Sequence, residues 1–152
     1  MWLKMISTKL KLTPLLKTTT VNLLHEMCVS DGKNSLLGGN VGIPFSENVL
    51  WELTSDISGS VHVLELSSFQ LEYINSFSPT IAGILNISAD HMDRYADIHA
   101  YAAEKLKLAN QIKESGWLVY NADDPTLSNA LMTVARSVLF SLTQKEKCHF
   151  KL

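Results

Sequence analysis

The chain of 152 residues, 46% hydrophobic and 18% charged, is long enough for one globular domain and too apolar for a disordered segment. Its formal net charge of -2 excludes the strongly basic surface on which nucleic-acid binding depends. Cys28 and Cys148 lie far apart and outside any CxxC or Cys/His metal-binding spacing, which favours two reduced thiols in a cytosolic protein.

The N-terminal segment is not typical of a targeting signal. Lys4, Lys9 and Lys11 interrupt residues 1–12, so these residues lack the continuous apolar core of a signal peptide. No stretch approaches the ~20 apolar residues that a membrane span needs. We therefore predict a cytoplasmic location.

A lysine followed by hydroxyl residues, Lys17-Thr18-Thr19-Thr20, precedes a helical stretch predicted at residues 21–27. This order is typical of the last part of a P-loop, in which the lysine meets the β- and γ-phosphates and the threonine meets Mg²⁺. The preceding Thr13-Pro14-Leu15-Leu16 has no glycine, which a P-loop needs for close approach of its backbone N–H groups to phosphate. Proline also removes a donor. We therefore expect that the phosphate-binding loop has been lost.

From about residue 35 onward, short apolar runs alternate with amphipathic stretches. The runs predict strands at residues 35–37, 62–66, 81–86, 117–120 and 138–140. Helical patterns lie around Leu50 and Leu53, at residues 69–74, and most clearly at residues 98–112. This repetition predicts right-handed crossovers and an α/β fold, with a doubly wound, mainly parallel sheet and P-loop-NTPase-like helices on both faces. Residues 81–85 are apolar throughout, as expected of a strand covered on both faces.

Polar residues directly follow four of the predicted strands. Ligands of parallel α/β sheets bind at the carboxyl ends of the strands. One polar strand end is explained by a helix cap, whereas four on one edge of one sheet outline a site. The four segments are Gly38-Gly39-Asn40, Glu65-Leu66-Ser67-Ser68-Phe69-Gln70, Asn86-Ile87-Ser88-Ala89-Asp90-His91 and Asn121-Ala122-Asp123-Asp124-Pro125.

Glu65 is the most unusual of these residues, because it interrupts an apolar run that predicts a buried strand. A carboxylate is rarely buried unless it is paired or ligates a cation. A capping or first-turn acid of the next helix is the less favoured alternative. Ser67 and Ser68 open that helix, either as simple caps or as part of a phosphate or carboxylate site.

Three further positions have both a structural and a functional interpretation. In Asp90-His91-Met92-Asp93, the histidine is either a solvent-facing loop residue or a metal ligand oriented by carboxylates. Lys105, in the middle of the helix predicted at residues 98–112, is by composition a surface lysine. Asp123-Asp124 before Pro125 predicts a cap for a helix that begins at the proline.

Taken in order, these segments resemble the central, ATP-binding domain of the Mur ligases, and within that family the branch that adds D-glutamate. The resemblance runs from Lys17 to the low 140s. Its most specific part is the run of residues 65–72, where sister ligases and folylpolyglutamate synthases carry different residues. The matching segments are Lys17-Thr18-Thr19-Thr20, residues 38–44, residues 65–72, residues 85–94 and residues 121–124.

The resemblance implies an ATP-dependent, amide-bond-forming ligase of peptidoglycan and cell-wall synthesis, with substrates UDP-N-acetylmuramoyl-L-alanine and D-glutamate. In such enzymes the substrate carboxylate takes the γ-phosphoryl group of ATP, and the D-glutamate amine then displaces phosphate. Two Mg²⁺ ions neutralise the charge that develops in both steps.

The resemblance also implies a role for each matching residue. Lys105 falls where the family carries a lysine that CO₂ converts into a carbamate, which is an anionic oxygen ligand; this favours a functional lysine. The implied roles are ATP binding for Lys17, Thr18 and Thr19, metal binding for Thr18, Glu65, His91 and Lys105, catalysis for Glu65, His91 and Lys105, and substrate binding for Asn40, Ser67 and Gln70.

Three parts of the family's plan have no counterpart: the glycine-rich half of the P-loop, the uridine-binding domain before Lys17, and the adenine-binding end with the C-terminal domain. We therefore divide the chain into a non-homologous start at residues 1–16, a partial Mur ligase central domain at residues 17–142 and a tail of uncertain origin at residues 143–152. A frame shift, truncation or gene decay would explain the start, and translation of the upstream DNA in the other frames tests that.

Two functions stay open: a ligase fragment that is inactive alone, and a non-catalytic nucleotide- or protein-binding module that retains the fold.

Overall fold

The computed structural model describes residues 13–88, 93–134 and 136–143, with side chains from residue 16 onward. The predicted start and tail therefore lie largely outside the described residues. The chain divides into two compact units, Met1–Val63 and Leu64–Leu152. Helices alternate with strands along the described residues: α1 Thr13–Ser30, β1 Ser35–Gly39, α2 Phe45–Thr54, β2 Val61–Glu65, α3 Ser68–Glu72, β3 Ile81–Ile84, α4 Ile98–Asn110, β4 Trp117–Asn121, α5 Pro125–Leu131 and β5 Ser137–Phe140.

The strands are those that the apolar runs predict, to within two residues at each end. They form two sheets along the described residues, a two-stranded sheet of β1 and β2 and a three-stranded sheet in the order β3-β4-β5. The four polar strand ends are therefore shared between two sheets, whereas the sequence predicts one edge of one sheet. Parallel strands flanked by helices confirm the predicted α/β class.

In the first unit, polar side chains fasten the helices to β1. His25 Nδ1 of α1 lies 2.9 Å from Ser35 Oγ at the start of the strand. Asn48 of α2 is buried and donates a hydrogen bond from Nδ2 to the Leu37 carbonyl at 3.1 Å. A buried amide is costly unless it is hydrogen-bonded, so this bond fixes α2 on the strand.

In the second unit, the three parallel strands carry the core on one face. Because β3, β4 and β5 are neighbours in chain order, right-handed crossovers place α4 and α5 on the same side of the sheet. Leu118 and Leu127, at 0% exposure, lie at the centre of that layer. The buried cluster comprises Leu71, Ala82, Ile84, Leu108, Leu118, Tyr120, Leu127 and Leu131.

On the opposite face of this sheet, the described residues at the start of β3 and β4 are exposed. Ile81 is 65% exposed and Trp117 is 44% exposed, while the alternate residues Ala82 and Leu118 are buried. The prediction that residues 81–85 are covered on both faces is therefore wrong in this chain. The reason is topological, since both crossover helices lie on the other side.

Several helix ends differ from the predicted ones. The helix predicted at residues 98–112 ends at Asn110, and Asp97 caps its start by accepting from the Ala100 N–H at 2.8 Å. The helix predicted at residues 69–74 is the five-residue α3. Among the helices that the structure describes, none is both long and apolar enough to cross a membrane.

Candidate functional site

The predicted phosphate-binding residues lie inside a helix. Helix α1 is already formed at Thr13, the first residue that the structure describes, so Lys17 and Thr18 lie in its second turn. Within a helix, backbone N–H groups beyond the first four donate to the carbonyl four residues earlier, and only the first four are available to an anion. Asn22 Nδ2 also donates to the Thr18 carbonyl, at 2.7 Å. The predicted helix start at residue 21 is wrong, and the backbone here does not fit a phosphate.

The residues before Lys17 explain this difference. Leucine favours helix, and proline is tolerated in a first turn. Without glycine the backbone has no inexpensive route to the positive φ values that a phosphate-binding loop requires. Thr20 Oγ1, which donates to the Leu16 carbonyl at 2.8 Å, belongs to the same continuous helix. The segment that would cradle phosphate is therefore built as helix.

At the end of β1 the chain makes a tight turn. Gly39 has φ 108°, and its N–H donates to the Ile43 carbonyl at 2.9 Å. A Cβ added at Gly38 would lie 2.2 Å from that carbonyl oxygen and 2.7 Å from Asn48 Nδ2, so only glycine allows this approach. Asn40 follows on the exposed side of the turn. Its contact with substrate stays a prediction.

At the end of β2, Glu65 is 4% exposed, so the predicted burial of this carboxylate is confirmed. Two residues later Ser67 caps α3 in a capping box with Gln70. The Gln70 N–H donates to Ser67 Oγ at 3.3 Å, and the Ser67 N–H donates to Gln70 Oε1 at 2.9 Å. Capping, which the sequence left open for Ser67, is thus one role of both side chains. Substrate contact by Ser67 and Gln70 stays a prediction.

The two aspartates after β4 connect the carboxyl ends of all three strands in the second unit. Asp124 caps α5, with Oδ1 accepting from the Thr126 and Leu127 N–H groups at 2.9 and 3.1 Å. Its other oxygen accepts from the Ile87 N–H, just beyond β3, at 2.6 Å. The predicted cap before Pro125 is confirmed, and it also joins two strand ends.

Asp123 binds the segment that follows β5. Its carboxylate accepts from the hydroxyls of Ser141 and Thr143, and from the Leu142 N–H at 2.7 Å. Burial raises the pKa of Asp123, but these hydrogen bonds outweigh burial and hold the pKa below its ordinary value. Asp123 is therefore built to stay ionised as a structural anchor.

Lys105 lies against the same group of strand ends. Its Nζ donates to the Asn86 carbonyl, just beyond β3, at 3.4 Å, and lies 4.4 Å from the centre of the Tyr101 ring. The side chain is half-buried, so the interpretation as a simple surface lysine does not hold. The described residues thus bring Lys105, Asp123 and Asp124 to one edge of the three-stranded sheet.

A network beside Lys105 escaped the sequence analysis. Glu72, at the end of α3, accepts from Arg94 Nη2 at 2.6 Å and from the Tyr95 hydroxyl at 2.6 Å. The hydrogen bond from Arg94, and then that from Tyr95, hold the pKa of Glu72 below its ordinary value. Burial and the Glu72 hydrogen bond raise the pKa of Tyr95. The partners are more than twenty residues apart, so no local spacing indicated them.

His91 lies outside the described residues, so its predicted metal contact stays a prediction. Within residues 13–88, 93–134 and 136–143, no group of three or more His, Cys, Asp and Glu side chains could hold a metal ion. Glu65 and Lys105 alone do not make such a group. The metal contacts predicted for Thr18, Glu65 and Lys105 therefore also stay predictions.

Comparison with known proteins identifies the family. The model of the Mur ligase middle domain matches residues 17–151, which is most of the chain. This chain belongs to the Mur ligase family. The UDP-N-acetylmuramoylalanine–D-glutamate ligase of Chlorobaculum parvum is 47% identical over 116 residues, and that of Koribacter versatilis 40% identical over 133 residues.

The chain spans only part of these Mur ligases. The two matches cover 73% and 88% of this chain but 24% and 28% of the respective relatives. Among solved structures, a MurF ligase from Thermotoga maritima in complex with ADP aligns with a TM-score of 0.64 at 21% identity, covering 82% of this chain and 30% of that one. At this identity the likeness shows the fold alone.

Proposed function

We propose that this chain is part of an ATP-dependent ligase that adds D-glutamate to UDP-N-acetylmuramoyl-L-alanine in peptidoglycan synthesis, and that it is inactive alone. The observation that carries the proposal is the 47% identity over 116 residues with a relative of that name. A match to 24% of that relative's length supports inactivity of the isolated chain.

In the longer enzyme, Glu65, His91 and Lys105 would bind the metal ions and carry catalysis. The place of Glu65 supports this role, because it brings a carboxylate, an oxygen ligand that Mg²⁺ prefers, to the carboxyl end of β2. Lys105 is supported by its place against the carboxyl end of β3, where ligands of parallel sheets bind. Mg²⁺ bound there would neutralise developing negative charge.

Nucleotide binding by Lys17, Thr18 and Thr19 has weaker support. In α1 these residues present side chains from a continuous helix, without the free backbone donors that hold phosphate. For substrate binding, Asn40 lies in an exposed turn, while Ser67 and Gln70 also serve the capping box. We therefore propose no step in which this chain alone binds or activates ATP.

Calorimetric titration of Mg-ATP into the isolated chain tests this proposal. We expect no measurable binding, and no amide product when both substrates are supplied. Two variants accompany the titration. Lys17→Ala should leave the result unchanged, and Thr13→Gly/Leu16→Gly places glycines in the segment before Lys17. Amide formation by the unsubstituted chain would refute inactivity.

The second candidate is a non-catalytic nucleotide- or protein-binding module. The continuous helix α1, which does not fit a phosphate, speaks against catalysis and, within this candidate, favours protein binding over nucleotide binding. Saturable Mg-ATP binding without product, abolished by Lys17→Ala, would identify a nucleotide-binding module. Absence of any binding would instead support the inactive fragment.

A further inference from the structure

We propose that Glu72 is a positioning residue for Lys105, acting through Tyr95 and Tyr101 and not by direct contact. The catalytic importance of Lys105 rests on the proposed function, whereas the positioning itself rests on geometry. The residues concerned all belong to the second unit and come from α3, from the segment before α4 and from α4 itself.

Glu72 holds the segment before α4 against α3 by both of its oxygens. Oε2 lies 2.6 Å from Arg94 Nη2, and Oε1 accepts from Arg94 Nε at 3.3 Å and from the Tyr95 hydroxyl at 2.6 Å. The Arg94 guanidinium also lies 4.6 Å from the centre of the Phe69 ring, on the same helix as Glu72. Arg94 and Tyr95 are thus bound to α3 by an ion pair, hydrogen bonds and a cation–π contact.

Three aromatic rings carry this constraint from α3 to Lys105. The Tyr95 ring stacks on Phe69, with ring centres 6.2 Å apart and planes 7° apart. It meets Tyr101 edge to face at 5.3 Å, and Tyr101 is almost fully buried. Lys105, one helical turn after Tyr101, has its Nζ 4.4 Å from that ring. Tyr95 therefore supports the Tyr101 ring, which contacts the Lys105 amine.

The amine also donates to the Asn86 carbonyl at 3.4 Å. With both the ring and the carbonyl in contact with it, the amine is less accessible to a reagent than a lysine that extends freely into solvent. Removing the Glu72 charge leaves Arg94 without its ion pair and weakens the hydrogen bond that orients Tyr95. We expect the Tyr101 ring to lose its support and the Lys105 amine to become more accessible.

The rate of acetylation of Lys105 by a limiting amount of acetic anhydride measures this effect. Peptide mass spectrometry compares Lys105 with Lys113, an exposed lysine beyond α4, as internal reference. In Glu72→Gln and Tyr95→Phe, the ratio of the two rates should rise about 2- to 5-fold, the effect expected for weakening one cation–π contact. Glu104→Gln is the matched control, because it removes an ion pair with Lys107 on α4 but leaves the ring stack intact.

Near-ultraviolet circular dichroism of each variant establishes that it is folded. Tyr95→Phe keeps the ring and removes only the hydroxyl, so it decides the question if Glu72→Gln does not fold. An unchanged ratio in folded Tyr95→Phe, or an equal rise in Glu104→Gln, overturns the proposal.

A second readout separates this proposal from the proposed function. Carbamate forms when the neutral amine attacks CO₂ and releases one proton, and ¹³C-bicarbonate makes the product visible by NMR. A carbamate signal that disappears in Lys105→Ala supports the catalytic role of Lys105. If the signal is absent in the unsubstituted chain, that role fails, while the acetylation ratio still decides whether Glu72 positions the lysine.

Discussion

At the scale of single residues, four described carboxylates, Glu52, Glu72, Asp123 and Asp124, are each held by more than one donor. Glu52 of α2 accepts from the Ser60 N–H at 2.9 Å and lies 2.8 Å from His62 Nε2. The His62 hydrogen bond, followed by the bonds from Ser60, lowers the pKa of Glu52 from 4.5 to about 2. The His62 ring also meets Phe45 edge to face at 5.3 Å. This pair therefore fastens α2 to β2 within the first unit.

The sign of the pH dependence follows from this lowered pKa. A carboxyl that is more acidic in the folded state contributes stability that is fully present above its ordinary pKa of 4.5 and is lost as the pH falls towards about 2. We expect His62→Phe, which keeps an aromatic ring beside Phe45, to move the pKa of Glu52 back towards 4.5. Titration of the side-chain carboxyl carbon by NMR measures it, with Glu52→Gln to assign the signal. A midpoint near 4.5 in the unsubstituted chain would contradict the expectation.

At the scale of elements, the short helices depend on their caps. Helix α3 has five residues and a complete capping box, and α5 has seven residues and the double acceptor Asp124. Helices of this length are unstable by themselves, so their ends must be satisfied by side chains. By contrast, α1 is a long helix that already includes Thr13-Pro14-Leu15-Leu16, the segment in which a phosphate-binding loop would need glycines.

Replacement of Asp124 separates its two structural functions. Asp124→Ala should lower the free energy of unfolding by about 2 kcal/mol, of which the cap contributes about 1 kcal/mol and the bond to Ile87 about 1 kcal/mol. Asp124→Ser keeps a capping oxygen but is too short to reach Ile87, so it should cost about 1 kcal/mol. Urea denaturation measures both values. Equal losses in the two variants would show that the bond to Ile87 contributes nothing.

At the scale of the whole molecule, the buried apolar cluster of the described residues belongs to the second unit, while several large apolar side chains of the first unit are exposed. Leu118 and Leu127 are fully buried on one face of the three-stranded sheet. Leu53, on α2, is 79% exposed. Hydrophobic stabilisation follows the area removed from water, so the two groups of leucines should contribute very differently.

Truncation of one buried and one exposed leucine measures this difference in their contributions to stability. Leu118→Ala should lower the free energy of unfolding by about 2–5 kcal/mol, because it leaves a cavity beneath the sheet. Leu53→Ala is the matched control and should change it by no more than about 0.5 kcal/mol. Both values come from chemical denaturation of the full chain. A small loss in Leu118→Ala would mean that the core is less tightly packed than its burial indicates.

The positions of the strands and the α/β class were predictable because apolar runs, turns and caps are local patterns. The burial of Glu65 and the cap at Asp124 were predictable for the same reason, since each needs only its neighbours in the chain. The pairing of Glu72 with Arg94 and Tyr95 was not, because it joins residues more than twenty positions apart and depends on how α3 meets α4.

The sequence by itself determined that this is a Mur ligase middle domain, because segments such as residues 65–72 carry family-specific residues. It also determined that the glycines of a phosphate-binding loop are missing before Lys17. Only the tertiary structure decided what stands there instead, a continuous helix whose interior donors are already bonded. It likewise decided that alternate residues at the start of β3 and β4 are exposed and that Lys105 contacts both Tyr101 and Asn86. The physical reason is that hydrogen bonds and burial depend on which surfaces meet in space, and residue order alone does not specify that.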